Sequence, residues 1–103
     1  MATHTILLIQ KNQNKNSRTY EEFQTVDEAA EELIRMYEDR LKELNPNLRQ
    51  IHYDVNDLNK WIDSIHDICG LVFNSARCSY EPHDREWLKS IILVSLKKAA
   101  GIR

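Results

Sequence analysis

Residues 4–10 read HTILLIQ, with four consecutive apolar residues, Ile6 to Ile9, between polar ends. The length and the flanking polar residues predict a strand over Thr3–Gln10. Successive strand side chains point to opposite faces, so a strand at the surface of a small two-layer domain alternates apolar and polar. This one does not alternate. Both of its faces call for cover, and the rest of the chain has to supply it.

Outward from this strand, KNQNKNS at 11–17 carries no apolar residue and is a solvated loop. RTYEEF, Arg18–Phe23, then gives a second strand that forms a hairpin with the first. Thr25 followed by Glu28 is a capping box: the Thr hydroxyl accepts from the Glu28 amide and the Glu28 carboxylate reaches back. Val26, Ala29, Ala30, Leu33, Ile34, Tyr37, Leu41 and Leu44 recur at helical spacing and draw one apolar stripe. Asn45-Pro46 ends this first helix, because a residue before proline avoids the α region.

The segment NLRQIHY, 47–53, is a partly extended connection, and Asp54 caps a second helix. Its apolar stripe is Val55, Leu58, Trp61, Ile62, Ile65, Ile68 and Cys69, with Gly70 placed as a left-handed residue after the helix end. Leu71–Phe73 is a short buried strand, NSAR a turn, and CSYEP, 78–82, a fourth strand whose Pro82 marks an end or an edge. Asp84 caps a third helix with Trp87, Leu88, Ile91, Ile92, Ser95, Leu96 and Ala99 on its main stripe. Leu93 and Val94 widen that stripe. Lys97, Lys98 and Arg103 favour the negative end of its dipole, and Gly101 lets that end fray. The order β-β-α-α-β-β-α predicts an α+β fold: a four-stranded, mainly antiparallel sheet with three helices on one face. No element is left to cover the other face.

The 103 residues suit a single domain spanning 1–103, without repeats or low-complexity tracts. At that size about two thirds of the unfolded surface can be buried, enough for one modest core. The net charge is −2 and no basic run exceeds two residues. Direct nucleic-acid binding is therefore disfavoured, and a weak local basic patch is the form it would take. The N-terminus lacks the basic and apolar regions of a signal peptide, and no apolar run is long enough to span a membrane, so no membrane partner is expected. Cys69 and Cys78 are read as reduced thiols.

His66, Cys69, Cys78 and His83 have a superficially zinc-like spacing, but Cys69 falls on an apolar stripe and His66 elsewhere on the same helix, so convergence is not expected. Cys78 and His83 lack an orienting third group for nucleophilic chemistry. With two isolated glycines there is no phosphate-cradling loop. The paired acids at 21–22 and 31–32, and Asp63 with Asp67, read as solvated faces. No cofactor, metal or enzymatic activity is expected. Thr19 and Thr25 each have a glutamate three residues downstream, the acidic-directed pattern of casein kinase 2. Tyr20, Phe23, Phe73 and Tyr80 lie on or beside the strands. On a sheet face without helices they form an exposed apolar patch, which marks a protein interface.

HTILLIQ (4–10), RTY (18–20), NPNLRQIHYDVNDL (45–58), WIDSIHDI (61–68), GLVF (70–73) and YEPHDREWLKSII (80–92) follow one another in one order. Together they resemble the enhancer of rudimentary homolog family, over about Thr3 to Leu96. Trp61 and Phe73 stand where Phe and Tyr are usual, His83 where Tyr is usual, and Thr25 where Ser is usual. The resemblance implies the same α+β domain, and a homodimer closed through the open sheet faces. In that reading His4, Ile6 and Leu8 face the second copy, joined by Tyr20 and Tyr80, while Thr5, Leu7 and Ile9 face the helices. It further implies a small nuclear, non-catalytic adaptor that binds peptide segments of RNA-processing or transcription-related proteins, in splicing, microRNA processing or selective RNA elimination, with links to cell cycle and pyrimidine metabolism. Phosphorylation at Thr19 and Thr25 is implied as well.

Overall fold

The computed structural model describes residues 3–50 and 52–101. Ile51 of the connecting segment and Arg103 lie outside them. The elements are β1 (Thr5–Gln10), β2 (Arg18–Phe23), α1 (Val26–Leu44), α2 (Val55–Ser64), β3 (Asp67–Asn74), β4 (Ser79–His83) and α3 (Arg85–Ala99), with a 3-10 turn at Lys15–Ser17 before β2. The strands form one antiparallel sheet in the order β2-β1-β3-β4. The expected α+β architecture is therefore present, with the N-terminal strand in the interior of the sheet.

The core lies between one sheet face and the helices. Leu7 and Ile9 of β1 and Ile68 of β3 pack with Ala29, Leu33 and Tyr37 of α1, Leu58 and Ile62 of α2, and Leu88 and Ile92 of α3. Thr5 and Leu7 are about as buried as any residue in the chain, at 0% and 1% exposure. Alternation then sends His4, Ile6 and Leu8 to the opposite side. Register extends this face across the sheet, because Leu8 lies opposite Tyr20 and Cys69, Ile6 opposite Leu71, and Leu71 opposite Pro82.

The helix starts follow the sequence. Thr25 Oγ1 accepts from Glu28 N at 3.1 Å, but the Glu28 carboxylate accepts from Gln24 N rather than from Thr25 itself. The complete capping box belongs to α2, where Asp54 and Asp57 exchange side-chain and backbone bonds at 2.9 and 3.2 Å. Asp84 Oδ1 accepts from Trp87 N at 3.0 Å and opens α3. Past the end of α3, Gly101 adopts φ +74° and donates to Lys98 O, the left-handed closing residue for which glycine carries no Cβ penalty.

The second helix is shorter than its apolar periodicity suggests. It ends at Ser64, and Ile65 is already extended at φ −71°, ψ 129°. Ile68, Cys69 and Gly70 belong to β3, which begins at Asp67 rather than at Leu71. Gly70 is therefore a strand residue and closes no helix. Its role is to admit the indole of Trp87, whose Cζ3 would lie 3.0 Å from an added Cβ. The end of α2 is held instead from α3: Arg85 Nη1 donates to Ile62 O and Nη2 to His66 O, each at 2.8 Å. Pro82 lies inside β4, and β4 is an edge strand, so its missing N–H costs the sheet no bond.

Candidate functional site: the open face of the sheet

No described element covers the outer face of the sheet. Its rows are Tyr20 and Glu22 on β2, with His4, Ile6 and Leu8 on or just before β1. Cys69, Leu71 and Phe73 follow on β3, then Tyr80 and Pro82 on β4. Leu8 is 39%, Tyr20 68% and Tyr80 42% exposed, while Ile6, Cys69, Leu71 and Phe73 are half-buried by their neighbours. Cross-strand pairs give the face its order. Phe73 and Tyr80 meet edge-on with ring centroids 5.2 Å apart.

Polar groups sit at the ends of the apolar rows. At one end the phenol of Tyr80 and His4 Nδ1 are 2.7 Å apart, and His4 Nε2 lies 3.6 Å from a Glu22 carboxylate oxygen. With His4 neutral, one tautomer satisfies both: Nε2–H points to Glu22 and Nδ1 accepts from Tyr80. At the other end Gln10 is 6% exposed and accepts at Oε1 from Arg18 Nε at 2.8 Å. The patch is thus apolar in the middle and hydrogen-bonded at two margins.

His4, Ile6, Leu8, Tyr20 and Tyr80 stand together on this face. Phe23, expected with them, does not. It lies opposite Thr5 and packs against the core on the helix side. Cys69, Leu71 and Pro82, which the sequence reading assigns no place there, also belong to the face. The parity of β3 counted from Phe73, and that of β4 counted from Tyr80, is the signal that places them. Cys69 does not pack in a helical stripe. Burial pushes its thiol pKa up, and the nearby Asp67 adds to the shift.

The remaining candidates are dispersed. Thr19 lies opposite Ile9, on the helix-side row of β2, and is exposed. Thr25 is the α1 cap. Cys78 occupies the turn before β4 at φ +52°. His83 stacks on Trp87 with centroids 4.1 Å apart, on the helix side of the sheet, whereas Cys69 is on the open side. The four zinc-spaced residues therefore do not converge. Among the described residues no group of three or more His, Cys, Asp or Glu is arranged to hold a metal ion.

The fold and this surface define a small α+β domain with one sheet face packed and the other apolar and open. The family model for "Enhancer of rudimentary" matches residues 1–102. The chain is 42% identical over 98 residues to an enhancer of rudimentary homolog of Dictyostelium discoideum, covering 95% of this chain and 98% of that one. It is 39% identical to the protein enhancer of rudimentary of Drosophila virilis, over 95% and 94% of the two chains. A homolog from Arabidopsis thaliana is 37% identical over 95% and 90%. The chain belongs to the Enhancer of rudimentary family.

Proposed function

We propose that this chain is a non-catalytic adaptor that works as a homodimer closed through the open sheet face. The observation that carries this reading is the contiguous apolar face of Ile6, Leu8, Tyr20, Cys69, Leu71, Phe73, Tyr80 and Pro82, which no described element covers. Covering apolar surface yields about 25 cal/mol per Å², and a two-fold partner offers the same surface in return. His4 and Glu22 stand at the rim. The dimer binds short segments of nuclear RNA-processing or transcription-related proteins and brings two of them into one assembly, raising avidity on RNA without touching it. It acts in the nucleus, and Thr19 and Thr25 are its acceptors for an acidic-directed kinase. No bond is made or broken by the adaptor itself.

Light scattering at micromolar concentration tests the assembly. The expected mass is that of two chains, and the Ile6→Arg, Leu8→Arg double variant is expected at the mass of one, because each charge would have to be buried without a partner. A wild-type monomer, or a double variant that stays at twice the chain mass, overturns the reading.

A further inference from the structure

The open face carries few ionisable groups, and three of them touch. His4, at the entry to β1, stands between Glu22 of β2 and Tyr80 of β4. β3 meets it through the backbone, where Phe73 N donates to His4 O at 2.9 Å. The other charged residues of this face by register, Arg18 and Asp67, lie opposite Gln10 at its far end. Tyr20 and Cys69, both opposite Leu8, complete its titratable groups. Among the described residues His4 is the one basic group in ion-pair reach of Glu22.

A proton on His4 rewires this set. In the neutral ring Nε2–H points to Glu22 and Nδ1 accepts from the Tyr80 hydroxyl. In the imidazolium both nitrogens donate, so Nδ1–H turns to Tyr80 Oη and the phenol hydrogen is free to donate out of the chain. The ring also becomes a counter-charge 3.6 Å from a Glu22 oxygen. On a single chain water screens that pair, because both side chains are partly exposed. A second copy laid over the face removes the water. A carboxylate losing its water is better compensated by a cation than by a neutral ring.

We propose that closure of the open face is coupled to proton uptake at His4, so that the dimer is tighter at mildly acidic than at mildly alkaline pH. This coupling regulates the interface proposed above and rests on that reading. A site that holds its proton more tightly after association strengthens association as the pH falls. Histidine is the side chain that ordinarily changes charge between about pH 5 and 8. The other three histidines are placed differently: His52 and His66 lie in the segments flanking α2, and His83 is stacked on Trp87 across the sheet.

The test is sedimentation equilibrium of the purified full chain at about pH 8 and about pH 6, at constant ionic strength. The dimer is expected to tighten about fivefold at the lower pH, for two His4 rings whose protons are each held about threefold more tightly after association. His4→Gln, which keeps a polar side chain at the margin, is expected to lose the pH dependence. Glu22→Gln is expected to reverse it, because the imidazolium is then covered without its counter-charge. A side chain that only holds the fold would not give that reversal, and circular dichroism checks that each variant folds. A wild-type dissociation constant that is flat or rises toward acid, or a slope that survives in His4→Gln, would overturn the proposal. A dimer of constant affinity defeats this coupling alone, whereas a wild type at the mass of one chain at both pH values defeats the reading beneath it as well.

Discussion

Gly70 lies directly beneath Trp87: a Cβ at position 70 would stand 3.0 Å from indole Cζ3 and 3.5 Å from Leu88 Cδ2. The same indole stacks on His83, the residue paired with Gly70 across β3 and β4. Held against His83, the indole has little room to retreat. Gly70→Val is expected to destabilise the fold by about 1–3 kcal/mol through overpacking, and Gly70→Ala by less. Urea unfolding with an unchanged slope measures it, and a neutral Gly70→Val would show that the indole moves freely.

Arg85 joins α3 to the end of α2 through the carbonyls of Ile62 and His66, with a longer contact to that of Asp63. Removing the guanidinium leaves the part-buried Ile62 carbonyl without this donor. Arg85→Ala is expected to cost about 1–3 kcal/mol. Arg85→Lys should rescue little of it, since an ammonium cannot span both carbonyls as a planar fork does. Amide exchange at Ile65 and His66 should accelerate in both variants.

Tyr53 donates to a Glu38 carboxylate oxygen at 2.8 Å and packs edge-on against Tyr37. Burial, and then that hydrogen bond, push its phenol pKa well above the usual value of 10.0. Below pH 10 the phenol is neutral in folded and unfolded chains alike, and its contribution is complete. Above pH 10 the unfolded chain ionises first and the contribution is progressively lost. Stability of the wild type should therefore fall more steeply above pH 10 than that of Tyr53→Phe. In a titration followed by tyrosinate absorbance, the last ionisation should coincide with unfolding.

Cys69 and Cys78 differ in setting: one half-buried on the open face with its thiol pKa raised, the other exposed in a turn. Thiolate, not thiol, reacts with alkylating reagents. Iodoacetamide should label Cys78 faster by about tenfold or more, as read by peptide mass. If a second copy covers the open face, the Ile6→Arg, Leu8→Arg variant should narrow that gap. An unchanged ratio would count against the covered face.

A core substitution gives the scale for these effects. Leu33 is fully buried where α1 meets the sheet. Leu33→Ala should cost about 2–5 kcal/mol, and a cost below that of Gly70→Val would mean the core relaxes around the loss.

Much of the fold was legible because local chemistry and global packing agree. Thr25, Asp54 and Asp84 mark the helix starts by side-chain capping, a signal written within four residues. The end of α2 was not legible. Ile62, Ile65, Ile68 and Cys69 keep a three-and-four spacing across a point where the backbone has become extended. The contact that helps hold the turn there, from Arg85, comes from another helix and leaves no local trace. The open face was legible in HTILLIQ, because an apolar run on an alternating backbone must present two faces. Its full membership was not, since Phe23 and Cys69 change sides with the register, and register is set by pairing between distant segments.

β1 is an interior strand, paired on one side with β2 and on the other with β3, where Gln10 faces Asp67 and Thr5 faces Val72. Its first neighbour is made at once; its second is made only after both of the first two helices. On the ribosome, a nascent chain halted before Asp67 would therefore present the most apolar strand of the protein with one backbone edge bare, a state prone to the wrong partners. Release of residues 67–74 closes that edge. Translation speed through the first two helices thus sets how long the strand that opens the sequence must wait.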